Sequence, residues 1–412
     1  MFSVLFASLF IVTFLAVYLT RNKNTQNNQN ENETIISEKG NECIFPYKFV
    51  NGTCEKEYFQ ILAKYKTTSN NQKTFLIGNQ GNFLIKEIKI NNKIINNTLL
   101  EYNNKNNEYY YYFPSTGEYE VSFLIDLENC DSLKRMYYNA KYLTEISFIN
   151  FDTSNIKYMG EMFRNCYQLT YLNISSFNTH NVIDMYYMFA FCVNLTSIDV
   201  SGFNTQKVTN MRYMLAGLEK ITSLDVSSLD TKQVKEMFGM FSSCRSLTSL
   251  DVSNFDTLQV NDMGFMFGQM NSLISIDLSN FDTRQVNDMG NMFENCNSLT
   301  SLDLSSFNTQ NVIKMFFMFK NCRSLTSLDL SSFNTQNVEK IYHMFSNCTS
   351  LTSLDLSNFN TQNVIEMYDM FVNCSSLISL DLSNFNTQNV IKMYYMFVNC
   401  SSLISLDLSN FN

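Results

Sequence analysis

One 26-residue unit repeats across the last two-thirds of the chain, and nothing else in the sequence constrains the fold so tightly. Sliding the sequence by 26 lays LTSLDLSSFNTQNVEKIYHMFSNCTS (325–350) on LTSLDLSNFNTQNVIEMYDMFVNCSS (351–376) and on LISLDLSNFNTQNVIKMYYMFVNCSS (377–402). Copies begin without a gap at Leu143, Leu169, Leu195, Ile221, Leu247, Leu273, Leu299, Leu325, Leu351 and Leu377, ten full units, with a partial eleventh from Leu403. At such a period one unit cannot bury its own apolar faces, so units must stack and bury them against each other.

Within a unit, positions 1, 4 and 6 are apolar (Leu325, Leu328, Leu330), and the alternation around Asp329 predicts a short half-buried strand. Position 9 is Phe in nearly every copy (Phe333, Phe359, Phe385), with Leu229 in one. Asn334-Thr335 then reads as a helix N-cap pair. Apolar residues follow at positions 14, 17, 21 and 24, as Val364, Met367, Phe371 and Cys374, spaced three, four and three apart. That is one face of a helix about three turns long. The expected fold class is therefore an α/β repeat solenoid with one short parallel strand plus one short helix per unit, preceded by a small all-β domain. Its strands would stack at roughly 4.8 Å into a rod on the order of 50 Å long. The array contains no Pro, as repeated strand pairing requires.

The run L-x-x-L-x-L followed by N-F-[ND]-T-x-x-V-x-x-M-x-x-M-F-x-x-C resembles the BspA-like leucine-rich-repeat surface proteins, in their class with a 26-residue bacterial-surface-protein repeat. The resemblance covers residues 143–412. It implies a leucine-rich-repeat-like solenoid, a cell-surface or secreted setting and adhesion or recognition rather than catalysis, and it carries over no catalytic residue.

Ahead of the array, residues 2–20 carry no charge and are followed by Arg21 and Lys23. Residues 1–20 read either as a cleaved signal peptide or as a signal-anchor helix in a membrane, with Arg21 and Lys23 favouring the cytoplasmic side. Residues 21–40 are an Asn-rich stalk with little to bury. Residues 41–127 read as a small Cys-containing β-sandwich-like domain, with short apolar runs and a turn at Pro114-Ser115-Thr116-Gly117. In an exported chain, Cys43 and Cys54 pair most simply as a local disulfide. The run Tyr109–Phe113 is strand core with a partly exposed rim rather than a dedicated platform. Residues 128–142 echo the unit in shortened form and read as the N-terminal cap of the array at 143–412. The last unit breaks off at Asn412 with Leu406, Leu408 and Phe411 on an unfinished rung, which continues in a longer chain, is covered by a partner or frays.

The strongest candidate site is a column of aspartates at position 5, Asp199, Asp225, Asp251, Asp277, Asp303, Asp329, Asp355, Asp381 and Asp407, flanked by serines such as Ser327 and Ser331. Carboxylates one rung apart repel, so solvation, serine hydroxyls and partly raised pKa values are expected to relieve them. The other reading is an acidic strip that binds a basic partner or a cation such as calcium, although no EF-hand loop is present. Position 24 holds Cys166, Cys192, Cys244, Cys296, Cys322, Cys348, Cys374 and Cys400, with Leu218 and Met270 in the two remaining places. Apolar substitutes there point to buried thiols that act as small hydrophobes, over rung-to-rung disulfides. Methionines at positions 17 and 20 are core, and the aromatics at positions 18 and 19, such as Tyr394 and Tyr395, form a second candidate surface. Among the N-x-S/T sequons, those at Asn347, Asn373 and Asn399 fall at packed junctions and suit glycosylation less than those ahead of the array.

A net charge of −9 with no basic run argues against nucleic acid. Two histidines, His180 and His343, both at outward positions, and no nucleophile, phosphate or dinucleotide motif argue against an enzyme. The expectation is a non-enzymatic, surface-displayed binding or adhesion protein without a cofactor. It would take an extracellular protein or glycan ligand through the array face. The alternative is a structural coat or matrix protein that self-associates through its uncapped C-terminal rung.

Overall fold

The computed structural model describes residues 47–50, 53–56 and 58–411. The signal or anchor at 1–20, the stalk at 21–40 and the Cys43–Cys54 pairing lie outside the described residues and side chains. No helix among the described residues is long and apolar enough to cross a membrane. The chain divides into two compact units, 1–58 and 59–412. In the first, β1 (Tyr47–Val50) and β2 (Thr53–Lys56) form an antiparallel pair.

The second unit begins with seven strands, β3 (Phe59–Thr67), β4 (Gln72–Gly78), β5 (Leu84–Ile90), β6 (Lys93–Ile94), β7 (Leu100–Asn103), β8 (Glu108–Phe113) and β9 (Gly117–Asp126). Strict alternation along β3 buries Phe59, Ile61, Ala63 and Tyr65 and exposes the residues between them. Facing them is the three-stranded antiparallel sheet β4-β8-β7. The buried Tyr65 hydroxyl donates to the Leu76 carbonyl of β4 at 2.8 Å, and its ring lies 6.1 Å from that of Phe113 on β8.

The array is continuous with this region. Its first strand, β10 (Leu143–Ile149), pairs antiparallel with β3, Ile146 opposite Ala63, and parallel with β11 (Tyr171–Asn173) of the next unit. The resulting sheet has the order β11-β10-β3-β9-β5-β6. Gly81 passes so close to the leading unit that an added Cβ would meet the Ser132 carbonyl at 1.8 Å, which leaves room for glycine alone. The leading unit already carries the array's pattern: Ser132 bridges Tyr158, and Tyr137 stacks on Phe163 at 5.9 Å with planes 4° apart.

The expected α/β, leucine-rich-repeat-like solenoid is corrected on both counts: the helix in each unit is absent, and the short parallel strand is not repeated from unit to unit. Among the described residues the one helical element is a 3-10 turn at Asn97–Leu99, outside the array. Regular strands occur only at the two ends, as β10 and β11 and as the parallel pair β12 (Ser379–Asp381) and β13 (Ser405–Asp407). Between them, units are joined by single parallel bridges at position 16, as in Lys340 to Glu366.

The hydrogen bonds explain the missing helix. In unit 325–350 the N–H groups of Ile341, His343, Phe345 and Asn347 donate to Glu366, Tyr368, Met370 and Val372 of the next unit at 2.7–3.0 Å. The intervening N–H groups of Met344, Ser346 and Cys348 donate three residues back, to Ile341, His343 and Phe345. An α-helix needs every one of those donors for the carbonyl four residues back. Positions 19 and 23 also sit at left-handed φ, 55° at His343 and 62° at Asn347, which a helix excludes. This chain of turns still sends Ile341, Met344, Phe345 and Cys348 inward, all at most 1% exposed, so it satisfies the apolar spacing that suggested a helix.

Two buried columns hold the rungs in register. The position-21 rings of Phe293, Phe319, Phe345, Phe371 and Phe397 stack 5.7–5.8 Å apart with planes 2–9° off parallel. Burying each contributes about 1.5–3 kcal/mol. The position-11 threonines do not cap helices. Thr335 donates its hydroxyl to the Asn360 carbonyl at 3.0 Å and accepts from the Asn360 N–H at 2.7 Å, stitching each rung to the next.

Candidate functional site

The position-5 aspartates lie on one exposed edge of the stack, one carboxylate per rung. Each Oδ1 accepts the N–H of the serine two residues on, as in Asp329 to Ser331 at 2.9 Å and Asp251 to Ser253 at 2.9 Å. This Asx turn ends the extended segment and fixes the carboxylate's direction. From Asp199 to Asp381 these hydrogen bonds hold the carboxyls below the usual aspartate range. The Ser201 and Ser227 hydroxyls come first at Asp199 and Asp225, and the serine backbone N–H first at Asp251, Asp277, Asp303, Asp329, Asp355 and Asp381. The raised values expected from mutual repulsion are thus corrected, because at full exposure the neighbouring carboxylate counts for less than the local N–H. Ser331 contributes its backbone, and Ser327 is exposed on the other side of Asp329. Asp407 makes the same turn with Ser409 at 2.9 Å.

One oxygen of each carboxylate is engaged within the chain. No group of three or more His, Cys, Asp or Glu among the described residues is placed to hold a metal ion. A calcium ion asks for six to eight oxygens.

The aromatics at positions 18 and 19 pack chiefly on each other. Phe316, Tyr342, Tyr368 and Tyr394 stack at 5.1, 4.7 and 4.9 Å. At the end of that column Tyr394 and Tyr395 are 50% and 67% exposed. His180 is exposed and meets Asn178 Oδ1 through Nδ1 at 2.7 Å. His343 is half-buried instead of outward. It stacks on Phe317 at 4.8 Å, with Asp369 3.4 Å from Nε2, and burial holds its pKa below the ordinary value.

A charged cluster on this face escaped sequence reading. Glu161 takes Arg164 at 2.9 Å and the Tyr186 hydroxyl at 2.9 Å, while the Arg135 and Arg164 guanidiniums lie over Tyr138 and Tyr187 at 4.0 and 4.1 Å. Arg212 bridges Glu236 at 3.1 Å and Asp262 at 2.8 Å. The signal was opposite charge at positions 16, 18, 19 and 22 of successive units, visible only once those positions are known to be neighbours.

The nine described thiols from Cys130 to Cys400 are free. In the array they donate to the position-21 carbonyl one unit back, as Cys322 to Phe293 and Cys348 to Phe319. Burial pushes Cys244, Cys296 and Cys348 up to about 12. Only the thiolate is nucleophilic, so iodoacetamide at pH 8 should leave Cys166, Cys244, Cys296, Cys322, Cys348 and Cys374 unmodified in the native protein and label them in guanidinium. Peptide mass mapping reads the difference, and native labelling of Cys322 or Cys348 would contradict their burial. The sequons at Asn373 and Asn399 are also engaged, since their amides donate to the asparagine one unit back at 2.6 and 2.8 Å.

Turn-built 26-residue rungs, stacked in parallel register with one short motif presented per rung, define a repeat protein. The chain belongs to the DUF285 family, described as Mycoplasma protein of unknown function, which matches residues 131–250, 194–301, 240–354 and 325–412. No curated protein and no solved structure matches the chain.

Proposed function

We propose that the array is a non-enzymatic binding element of the BspA-like surface class, displayed outside the cell, which holds an extended ligand by many weak contacts along one edge. The observation that carries this reading is the position-5 strip, a row of exposed carboxylates that local N–H donors keep charged and aimed outward. Its chemistry suits a basic protein segment, and repetition gives multivalent attachment without any strong single contact.

The test is titration of the full chain with lysine oligomers of graded length. Affinity should rise with length, weaken as salt screens the strip, and persist as pH falls to the ordinary aspartate pKa of about 3.9. The triple change Asp251→Asn, Asp303→Asn, Asp355→Asn keeps an Asx-turn acceptor at each position and should lower affinity at least tenfold. Equal binding by that variant would end the reading. A second reading, self-association into a coat, draws on the apolar side chains exposed on the last described rungs, Ile391 at 74% and Ile404 at 86%. Sedimentation that depends on concentration would favour it.

A further inference from the structure

Four successive units share the run FNTQNV at 307–312, 333–338, 359–364 and 385–390. Packing accounts for its Phe, Thr and Val, and the first Asn closes a turn on the N–H of the Gln. The Gln and the second Asn are both exposed, and the second Asn lines an open trough of about 750 Å³. The trough runs over four rungs, on the order of 15 Å at the strand spacing, and is lined by Asn311, Asn337, Asn363 and Asn389 with Ile313, Glu339 and Ile365. Each of the four amides donates to the carbonyl at position 12 one unit back, at 2.8 Å in every case. That bond fixes the amide plane and leaves one side-chain carbonyl oxygen per rung with no protein donor among the described residues.

The main chain beneath is closed. The N–H groups of Ile313, Glu339, Ile365 and Ile391 donate to position 15 one unit back at 2.8–2.9 Å. A peptide strand therefore finds no free edge to extend. The lining holds one carboxylate and no cation, which disfavours a polyanion. What remains is a periodic row of side-chain amides that accept and donate, beside isoleucine surface.

We infer that this trough binds a neutral, extended, linear glycan, with successive sugars set against successive rungs. Hydroxyls donate to the fixed asparagine oxygens and accept from the second N–H of the same amides, and Ile313 and Ile365 cover sugar C–H surface. The inference rests on the array being a ligand-binding element, but it uses a different stretch of the rung from the aspartate strip.

Calorimetric titration of the full chain with cello-oligosaccharides of two to six sugars tests it. Affinity should climb up to four sugars, one per rung, and then level off, with maltohexaose, which coils, at least tenfold weaker than cellohexaose. The pair Ile313→Ser, Ile365→Ser strips apolar surface from the trough lining, keeps the backbone bonds beneath it and should weaken cellohexaose at least tenfold, with circular dichroism confirming that the array stays folded. The aspartate triple variant should bind cellohexaose like the parent, so failure at one site does not mimic failure at the other. No saturable heat at millimolar cellohexaose, parental affinity in the isoleucine pair, or loss of binding in the aspartate variant would each overturn the assignment.

Discussion

Phe345→Ala should cost about 3–5 kcal/mol, the range for a fully buried phenylalanine truncated to alanine. Phe345 is 0% exposed and stacks between Phe319 and Phe371 at 5.7 Å on either side, so truncation opens a cavity that neither neighbour can fill without leaving its own rung. In a stack whose units touch only their neighbours, the loss stays local and weakens two interfaces. Urea unfolding should shift to lower midpoint, and amide exchange should accelerate chiefly in residues 299–376. Phe397→Ala is the internal control. Among the described residues its ring stacks on Phe371 alone, and it is only half-buried, so its cost should be clearly smaller. Equal costs at the two positions would mean that stacking across rungs is not what holds the array together.

The period, the stacking and the buried positions were legible because they follow from apolar spacing alone. Leu325, Leu328, Phe333, Val338, Phe345 and Cys348 are all buried where that spacing puts them. The local conformation was not legible from the same spacing. Steps of three, four and three fit one helix face, and they fit a chain of turns equally well. Other residue types in the unit argue against a helix. Position 23 is Asn in Asn295, Asn321, Asn347, Asn373 and Asn399, and Gly217 and Gly239 occupy positions 23 and 19. These are the residues that tolerate left-handed φ, here 59° to 69°. The spacing puts an aspartate at position 5 of every unit from 195 on, but the raised pKa values expected of that column were misjudged. Reasoning from the carboxylates alone left out the serine N–H two residues along, which the turn delivers to every one of them.

The most discriminating substitution lies at position 11, where the two descriptions of a unit make opposite predictions. Were Thr335 a helix N-cap, Asp would replace it well, because a cap needs only an acceptor. In the structure its hydroxyl must donate to the Asn360 carbonyl and accept from the Asn360 N–H together, and a carboxylate can only accept. Thr335→Asp should therefore be among the most damaging changes in the array, placing a charge where the side chain is 1% exposed with a carbonyl oxygen against it. Thr335→Val keeps the shape and removes the hydroxyl, leaving both Asn360 backbone groups without their partner at about 1–3 kcal/mol each. Thr335→Ser keeps the hydroxyl and loses one methyl, about 1 kcal/mol. The expected order of urea midpoints is parent, Ser, Val, Asp. An Asp variant as stable as the parent would restore the capping role and remove the threonine ladder. The stated order would establish that rungs are joined through a side chain at this corner, and that the array keeps its register where no strand ladder runs.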